Sequence, residues 1–202
     1  MRKLLVATHN QGKIREYREL LADLPLEITW LDAEGITVDV NETGSTFEEN
    51  ARLKAESYAA MTGLLTWADD SGLEVDALGG QPGVYSARFG GPGLNDRQRF
   101  ELLLAELAAV PAKARTARFR CVVALAVPGQ LIRFTSGVVE GLIAASPRGE
   151  AGFGYDPVFF LPDHDVTMAE LAPEAKNRIS HRGRAAVAAK DLLHTLLQQD
   201  QL

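Results

Sequence analysis

Four short segments of this chain concentrate side chains suited to phosphate and metal chemistry. The first is Thr8-His9-Asn10-Gln11-Gly12-Lys13, between an apolar run and an amphipathic one. A phosphate chain is held by amide and hydroxyl donors and a cation at the start of a helix, where the dipole also favours an anion. Thr8, Asn10 and Lys13 supply such groups. The segment is not a Walker A loop: the upstream glycine is missing, and Ile14 follows Lys13 where Ser or Thr should stand. It can equally be read as an ordinary capped helix with a solvated lysine.

The second segment is Asp69-Asp70-Ser71-Gly72, at the end of an apolar strand-like run. Enzymes with α/β folds collect ligands at the C-terminal ends of their strands. Magnesium takes oxygen ligands, usually one or two carboxylates plus substrate phosphates. Glu42, in the turn-like Asn41-Glu42-Thr43-Gly44, offers a further carboxylate. The bland alternative is an acidic turn that caps the next element. The third segment is Gly152-Phe153-Gly154-Tyr155-Asp156-Pro157. Its glycines allow close backbone approach, Phe153 and Tyr155 offer faces for a base, and Asp156 can accept from a ring N–H. A tight turn before a strand would have the same composition. The fourth is Lys176-Asn177-Arg178-Ile179-Ser180-His181-Arg182, in which Lys176, His181 and Arg182 gather donors; a solvated basic helix end is the alternative. His9 and His181 lack a His or Cys partner at metal-ligand spacing, which argues against zinc. Cys121, among alternating apolar neighbours, reads as core rather than nucleophile. No Gly-x-Ser-x-Gly elbow surrounds any serine.

These segments need a frame. Leu4–Ala7 reads as a strand buried on both faces. The spacing of Ile14, Tyr17, Leu20, Leu21 and Leu24 predicts a helix that stops near Pro25. Glu27–Leu31 reads as a second strand. Thr46 with Glu49, or Ser45 with Glu48, forms a capping box for a helix from Phe47 to Met61, which Gly63 ends. Leu64–Ala68 is a strand, and the Gly- and Pro-rich stretch from Gly79 to Gly93 is loop. Asn95 caps a helix containing Phe100, Leu103, Leu104 and Leu107. Thr116–Val127 and Leu131–Val139 alternate as strands and form a hairpin across Pro128-Gly129. A glycine-rich loop over 147–157 leads to a strand at 158–160. Thr167 starts a short helix, Pro173–Ile179 forms a helical turn, and Gly183–Gln199 is a final amphipathic helix. The middle, 79–142, reads as antiparallel and the ends as α/β.

The 202 residues fit one large domain, 1–202, or two closely joined lobes. With 46% hydrophobic and 24% charged residues, the composition is that of a soluble globular protein. No apolar run reaches the roughly 20 residues of a membrane span. The opening residues read as a first strand and not as a signal peptide. A single cysteine suits a reducing cytoplasm. The formal charge of −6 argues against a nucleic-acid partner, while a few local cations can still serve a small anion.

Taken in order, the motifs resemble those of the inosine triphosphate pyrophosphatase family, the dITP/XTP pyrophosphatases or Ham1-like proteins, over nearly the whole chain. The matching segments are Thr8-x-Asn10-x-x-Lys13, Glu42-Thr43-Gly44-x-Thr46-Phe47-x-Glu49-Asn50-Ala51, Ala68-Asp69-Asp70-Ser71-Gly72-Leu73, Gly79-Gly80-x-Pro82-Gly83-x-Tyr85-Ser86-Ala87-Arg88, Gly152-Phe153-Gly154-Tyr155-Asp156-Pro157 and Ser180-His181-Arg182-Gly183. The resemblance implies an α/β fold with two lobes around a long central mixed sheet flanked by helices, and a homodimer. It implies Mg²⁺-dependent hydrolysis of non-canonical purine nucleoside triphosphates (ITP, dITP, XTP) to the monophosphate and pyrophosphate. Thr8, His9, Asn10, Gln11, Gly12 and Lys13 would hold the phosphates. Asp70 would accept a proton and, with Glu42, bind the metal, and Ser71 would touch substrate. Phe153, Gly154, Tyr155, Asp156, Lys176, His181 and Arg182 would form the base and sugar pocket, with Arg182 or His181 donating to the 6-oxo group. One departure concerns the pair before Thr-Gly: family members often carry two acidic residues there, and here the first is Asn41. Two other readings remain. A pyrophosphatase for modified pyrimidine nucleotides shares the opening but not the 153–156 loop or Ser180-His181-Arg182. A non-catalytic nucleotide binder would not need Glu42, Asp69 and Asp70.

Overall fold

The computed structural model describes residues 2–130 and 132–198. Strand β1 (Lys3–Val6) is apolar and buried from Leu4 to Val6 because it is flanked on both sides. It pairs in parallel with β2 (Glu27–Trp30) and with β3 (Leu65–Val75). Helix α1 (Gln11–Leu20) begins at Asn10, whose side chain accepts from the Lys13 backbone N–H at 3.0 Å. Helix α2 (Phe47–Thr62) is capped by Thr46 and closed by Gly63, which stands in the left-handed region at φ 68° where a side chain would be strained. Half of the expected capping box forms there: Glu49 reaches past the cap to the Ser45 N–H and hydroxyl, at 2.7 and 2.8 Å.

The remaining elements are α3 (Asp96–Glu106), β4 (Thr116–Ala126), β5 (Arg133–Ile143), β6 (Phe159–Leu161), β7 (Val166–Thr167), α4 (Pro173–Ile179) and α5 (His181–Gln198). The described residues form a seven-stranded sheet in the order β2-β1-β3-β4-β5-β6-β7. It is mixed, since β1, β2 and β3 run parallel while β5–β6 and β6–β7 are antiparallel. The expected mixed α/β architecture is therefore present.

The chain separates into two compact units. The first comprises residues up to Asp70, Cys121–Gly137 and the chain from Arg182 onward; the second comprises Ser71–Arg120 and Val138–His181. Each has its own core. In the first, Leu4, Val6, Tyr17, Leu21, Trp67, Val123, Leu125, Ala186, Ala189 and Leu193 pack together. In the second, Leu73, Val75, Phe100, Leu103, Phe119, Ile143, Phe159 and Met168 do so. Each such fully buried Leu- or Phe-sized side chain contributes roughly 1.5–3 kcal/mol.

Three sequence expectations need correcting. Strand β3 does not end at Ala68 but continues to Val75, so Asp69-Asp70-Ser71 lies inside a strand and not at its tip. Both carboxylates are buried there among cations, which is what lets charged residues continue an otherwise apolar strand. Helix α5 starts at His181, two residues early, which puts His181 and Arg182 in its first turn. The 79–93 segment is not all loop, because Gly83–Arg88 winds into a 3₁₀ turn. The expected start of β5 at Leu131 and end of α5 at Gln199 lie outside the described residues.

Candidate active site

In the first unit, alternation along β3 sends Asp69 and Asp70 to opposite faces of the sheet, and the two meet different partners. Asp69 is 2% exposed. Its Oδ2 lies 2.9 Å from Lys13 Nζ and 3.6 Å from Arg182 Nε, and the Cys121 thiol points at it from 3.7 Å. Burial alone would push the Asp69 carboxyl up. Lys13, Arg182 and Lys54 outweigh it and hold the group well below the ordinary carboxylate range. The same surroundings, chiefly burial and then the Asp69 charge, push the Cys121 thiol up to about 12, so it is a neutral core group as expected.

Asp70 faces helix α2. Asn50 Nδ2 donates to its Oδ2 at 3.1 Å, and Lys54 Nζ lies 3.6 Å from Oδ1. Asn50 and Lys54 are four residues apart and share one helical face. Lys54 Nζ also donates to Glu42 Oε1 at 3.0 Å, so one buried ammonium stands between two carboxylates. Asn50 Oδ1 in turn accepts from the Gly44 N–H at 2.7 Å, which anchors the Glu42 turn. A Cβ on Gly44 would stand 2.6 Å from the Glu49 Cβ and 2.7 Å from Asn50 Oδ1, which fixes glycine at this position. For Asp70, burial is the largest influence and Glu42 adds to it. Together they raise its proton affinity despite Lys54, Lys13 and Asn50. Neighbouring aspartates are thus driven in opposite directions. Lys54 remains charged: burial opposes its proton, but Asp70, Glu42 and Asp69 more than compensate.

The phosphate-type segment is ordered by its own side chains. Thr8 Oγ1 accepts from the Asn10 N–H at 3.1 Å, and Asn10 caps α1. His9 is tethered by Nδ1 to Asp32 at 2.8 Å; a carboxylate only accepts, so Nδ1 carries the proton. Gln11 and Gly12 open the helix, with Gly12 buried. Arg182, 2% exposed, pairs with Glu16 at 2.7 Å as well as with Asp69. Burial works against its charge, but Glu16 and Asp69 raise its hold on the proton far beyond the usual.

In the second unit, Lys176 Nζ donates to Asp156 Oδ2 at 2.5 Å, and both residues are buried. The same carboxylate oxygen accepts from the Phe153 N–H at 2.9 Å, and Lys176 Nζ lies 5.0 Å from the Phe153 ring centre. Gly152 has φ 80°, and a Cβ there would fall 2.1 Å from Asp156 Oδ2. Tyr155 is buried and donates to the Ser86 carbonyl at 2.9 Å; burial pushes its hydroxyl up and keeps it a neutral donor. His181 stacks on Phe119, with ring centres 4.7 Å apart. Ser71 is half-buried on β3. The expected site residues therefore form two groups, one in each unit. Thr8–Lys13, Glu42, Asp70 and Arg182 belong to the first. Ser71, Phe153–Asp156, Lys176 and His181 belong to the second.

A family model described as the Ham1 family matches residues 4–192. The chain belongs to the Ham1 family. Among relatives of this Ham1 chain, proteins named dITP/XTP pyrophosphatase from Bacillus subtilis (strain 168) and Geobacillus kaustophilus (strain HTA426) are 48% and 52% identical. The first aligns over 96% of this chain and 98% of that protein, the second over 92% and 91%. The solved Ham1 protein of Coxiella burnetii superposes with a TM-score of 0.87 at 43% identity, covering 96% of this chain and all of that one. The Ham1 protein of Staphylococcus aureus gives 0.86 at 41%, covering 96% and 99%.

Three residues of this Ham1 chain that hold the site together were not singled out from sequence: Asn50, Lys54 and Glu16. Asn50 lies in a segment quoted for the family likeness. Lys54 and Glu16 look like ordinary charged positions of amphipathic helices. The one available signal was the spacing of Asn50 and Lys54, which puts two polar groups on the face that also carries Ala51, Ala55 and Tyr58.

Proposed function

We propose that this Ham1-family chain hydrolyses non-canonical purine nucleoside triphosphates (ITP, dITP, XTP) to the monophosphate and pyrophosphate. The observation that carries the reading is the split between the two adjacent aspartates. Asp69 faces Lys13 at 2.9 Å and Arg182 at 3.6 Å, while Asp70 faces Asn50 and shares the Lys54 ammonium with Glu42. The shared name of the relatives supports the substrate class. The reading also takes residues 1–202 as one domain with two lobes, working as a cytoplasmic homodimer with Mg²⁺. In the described residues no helix is long and apolar enough to cross a membrane.

The residues fit a hard divalent cation. Glu42 and Asp70 turn their carboxylates to one point, where the Lys54 ammonium now supplies positive charge at 3.0 and 3.6 Å. Such an ion, held by Glu42 and Asp70, would supply charge neutralisation to the phosphate oxygens. The chain's own groups do the rest. Lys13, Thr8 and the first amides of α1 bind and orient the phosphates. A water attacks the α-phosphorus, Asp70 accepts its proton, and pyrophosphate leaves with its charge offset by Lys13. Lys54 and Asn50 fix the Asp70 carboxylate for that transfer. Base recognition falls to Phe153–Asp156, Lys176, His181 and Arg182, the last held in place by its ion pairs with Glu16 and Asp69. A 6-oxo, N1–H purine edge would pair with donor and acceptor groups that adenine would leave unpaired.

A pyrophosphate-release panel tests the reading across inosine, xanthosine, guanosine and adenosine triphosphates, with and without Mg²⁺. Rapid metal-dependent release from the first two is expected. Equal rates for all four would overturn the substrate assignment, and no release at all would leave a nucleotide binder.

A further inference from the structure

The turn proposed to face the base, Phe153-Gly154-Tyr155, is anchored at three successive residues. The Phe153 N–H is taken by buried Asp156, and the Tyr155 hydroxyl is fixed on the Ser86 carbonyl. Between them the Gly154 N–H donates to Asp96 Oδ2 at 2.8 Å, across 58 positions of sequence. Asp96 is the first residue of α3, but that helix does not need its side chain as a cap. Asn95 already accepts from the Gln98 N–H, and Gln98 answers on the Asn95 N–H, each at 2.9 Å. The Asp96 carboxylate is therefore available to a different segment. Arg99 Nη1 lies 3.6 Å from its other oxygen. Gly154 sits in the left-handed region at φ 62°, so this peptide's direction is not dictated by a side chain of its own. Gly154 joins the two aromatic residues, so its hydrogen bond to Asp96 ties the middle of the turn to the start of α3.

We propose that Asp96 is a positioning residue for purine recognition: by accepting from the Gly154 N–H it fixes the turn on which the base rests. The role depends on the pyrophosphatase reading above. Asp96 itself is well exposed, so its variants should fold.

The experiment compares Asp96→Ala and Asp96→Asn with the unaltered protein. Steady-state kinetics on inosine triphosphate are combined with thermal unfolding and with hydrogen exchange at the Gly154 amide. Alanine removes the acceptor. It should raise KM about tenfold, as for a lost hydrogen bond to a charged group, and change kcat little. The Gly154 amide should exchange faster. Asparagine removes the charge but keeps an acceptor oxygen, so its KM and its Gly154 exchange should return most of the way to the starting values. If both variants behaved alike, the charge at the α3 N-terminus would be the cause, and the proposal would fall. An unchanged KM or unchanged Gly154 exchange in the alanine variant would overturn it as well. If the unaltered protein released no pyrophosphate from any oxopurine triphosphate, the functional reading would fail first. With that activity present, only the variants decide the role of Asp96.

Discussion

Replacing Lys54 by methionine keeps an apolar stem of similar length but removes the ammonium between Glu42 and Asp70. At 3.6 Å from Asp70, in surroundings of effective dielectric near 20, the lost attraction is about 4.6 kcal/mol before solvation is considered. Asp70 has an escape: it can take a proton. From an ordinary carboxyl value of 3.8, protonation at pH 7 costs about 4.4 kcal/mol. The loss of stability is therefore capped near that figure, and about 3–4 kcal/mol is expected, matching broken buried ion pairs. At roughly 2–4 °C per kcal/mol for a chain of this size, Tm should drop by about 6–16 °C. The sign with pH follows. A carboxyl raised in the folded state weakens folding fully above its folded value and not at all below its unfolded value. The deficit should thus shrink as pH falls, towards about 1.6 kcal/mol at pH 5. Thermal unfolding of both proteins from pH 5 to 8 in a chelating buffer measures this. Adding Mg²⁺ should recover much of the variant's loss, because the cation replaces the missing charge. A deficit independent of pH, with no recovery by divalent ions, would refute this account of the Glu42–Lys54–Asp70 cluster.

Asp70→Asn should lower turnover by about 10²–10⁴ while the fold survives, since Asn can still accept from Asn50; near-normal turnover with unchanged metal dependence would remove Asp70 from proton transfer. Asp69→Asn leaves Lys13 and Arg182 without their shared anion and should cost about 3–5 kcal/mol at neutral pH. Because the Asp69 value is depressed on folding, its contribution is present above the ordinary carboxylate range and is lost as pH falls through and below it. Acid titration of Tm should therefore be flatter for the variant, and parallel curves would contradict the assignment. Gly152→Ala puts a methyl group 2.1 Å from Asp156 Oδ2 and strains a backbone at φ 80°. Its KM for inosine triphosphate should rise by about tenfold or more, as expected when a buried charged hydrogen bond is disturbed, and an unaffected KM would detach the Asp156–Lys176 pair from substrate binding.

The sequence by itself determined the vocabulary of the site and most of its frame. Strand β1, helices α1, α2 and α3 and the short helix after Thr167 are legible because burial imposes a period of 2 or 3.6 and because Asn10, Thr46, Asn95 and Thr167 cap their helices locally. The order of motifs was enough to place the chain in its family. What only the tertiary structure decided is how identical residue types come to differ. Asp69 and Asp70 are chemically the same and adjacent. One strand places them on opposite faces, so the first meets Lys13 and Arg182 and the second meets Asn50, Lys54 and Glu42. Lys54 looks in sequence like a solvated cation, and Arg182 like a donor for the base rather than a partner of Glu16 and Asp69. The burial of both cations, and hence their influence on those carboxylates, arises from segments distant along the chain. Electrostatic coupling depends on distance and dielectric, and neither is written in local periodicity.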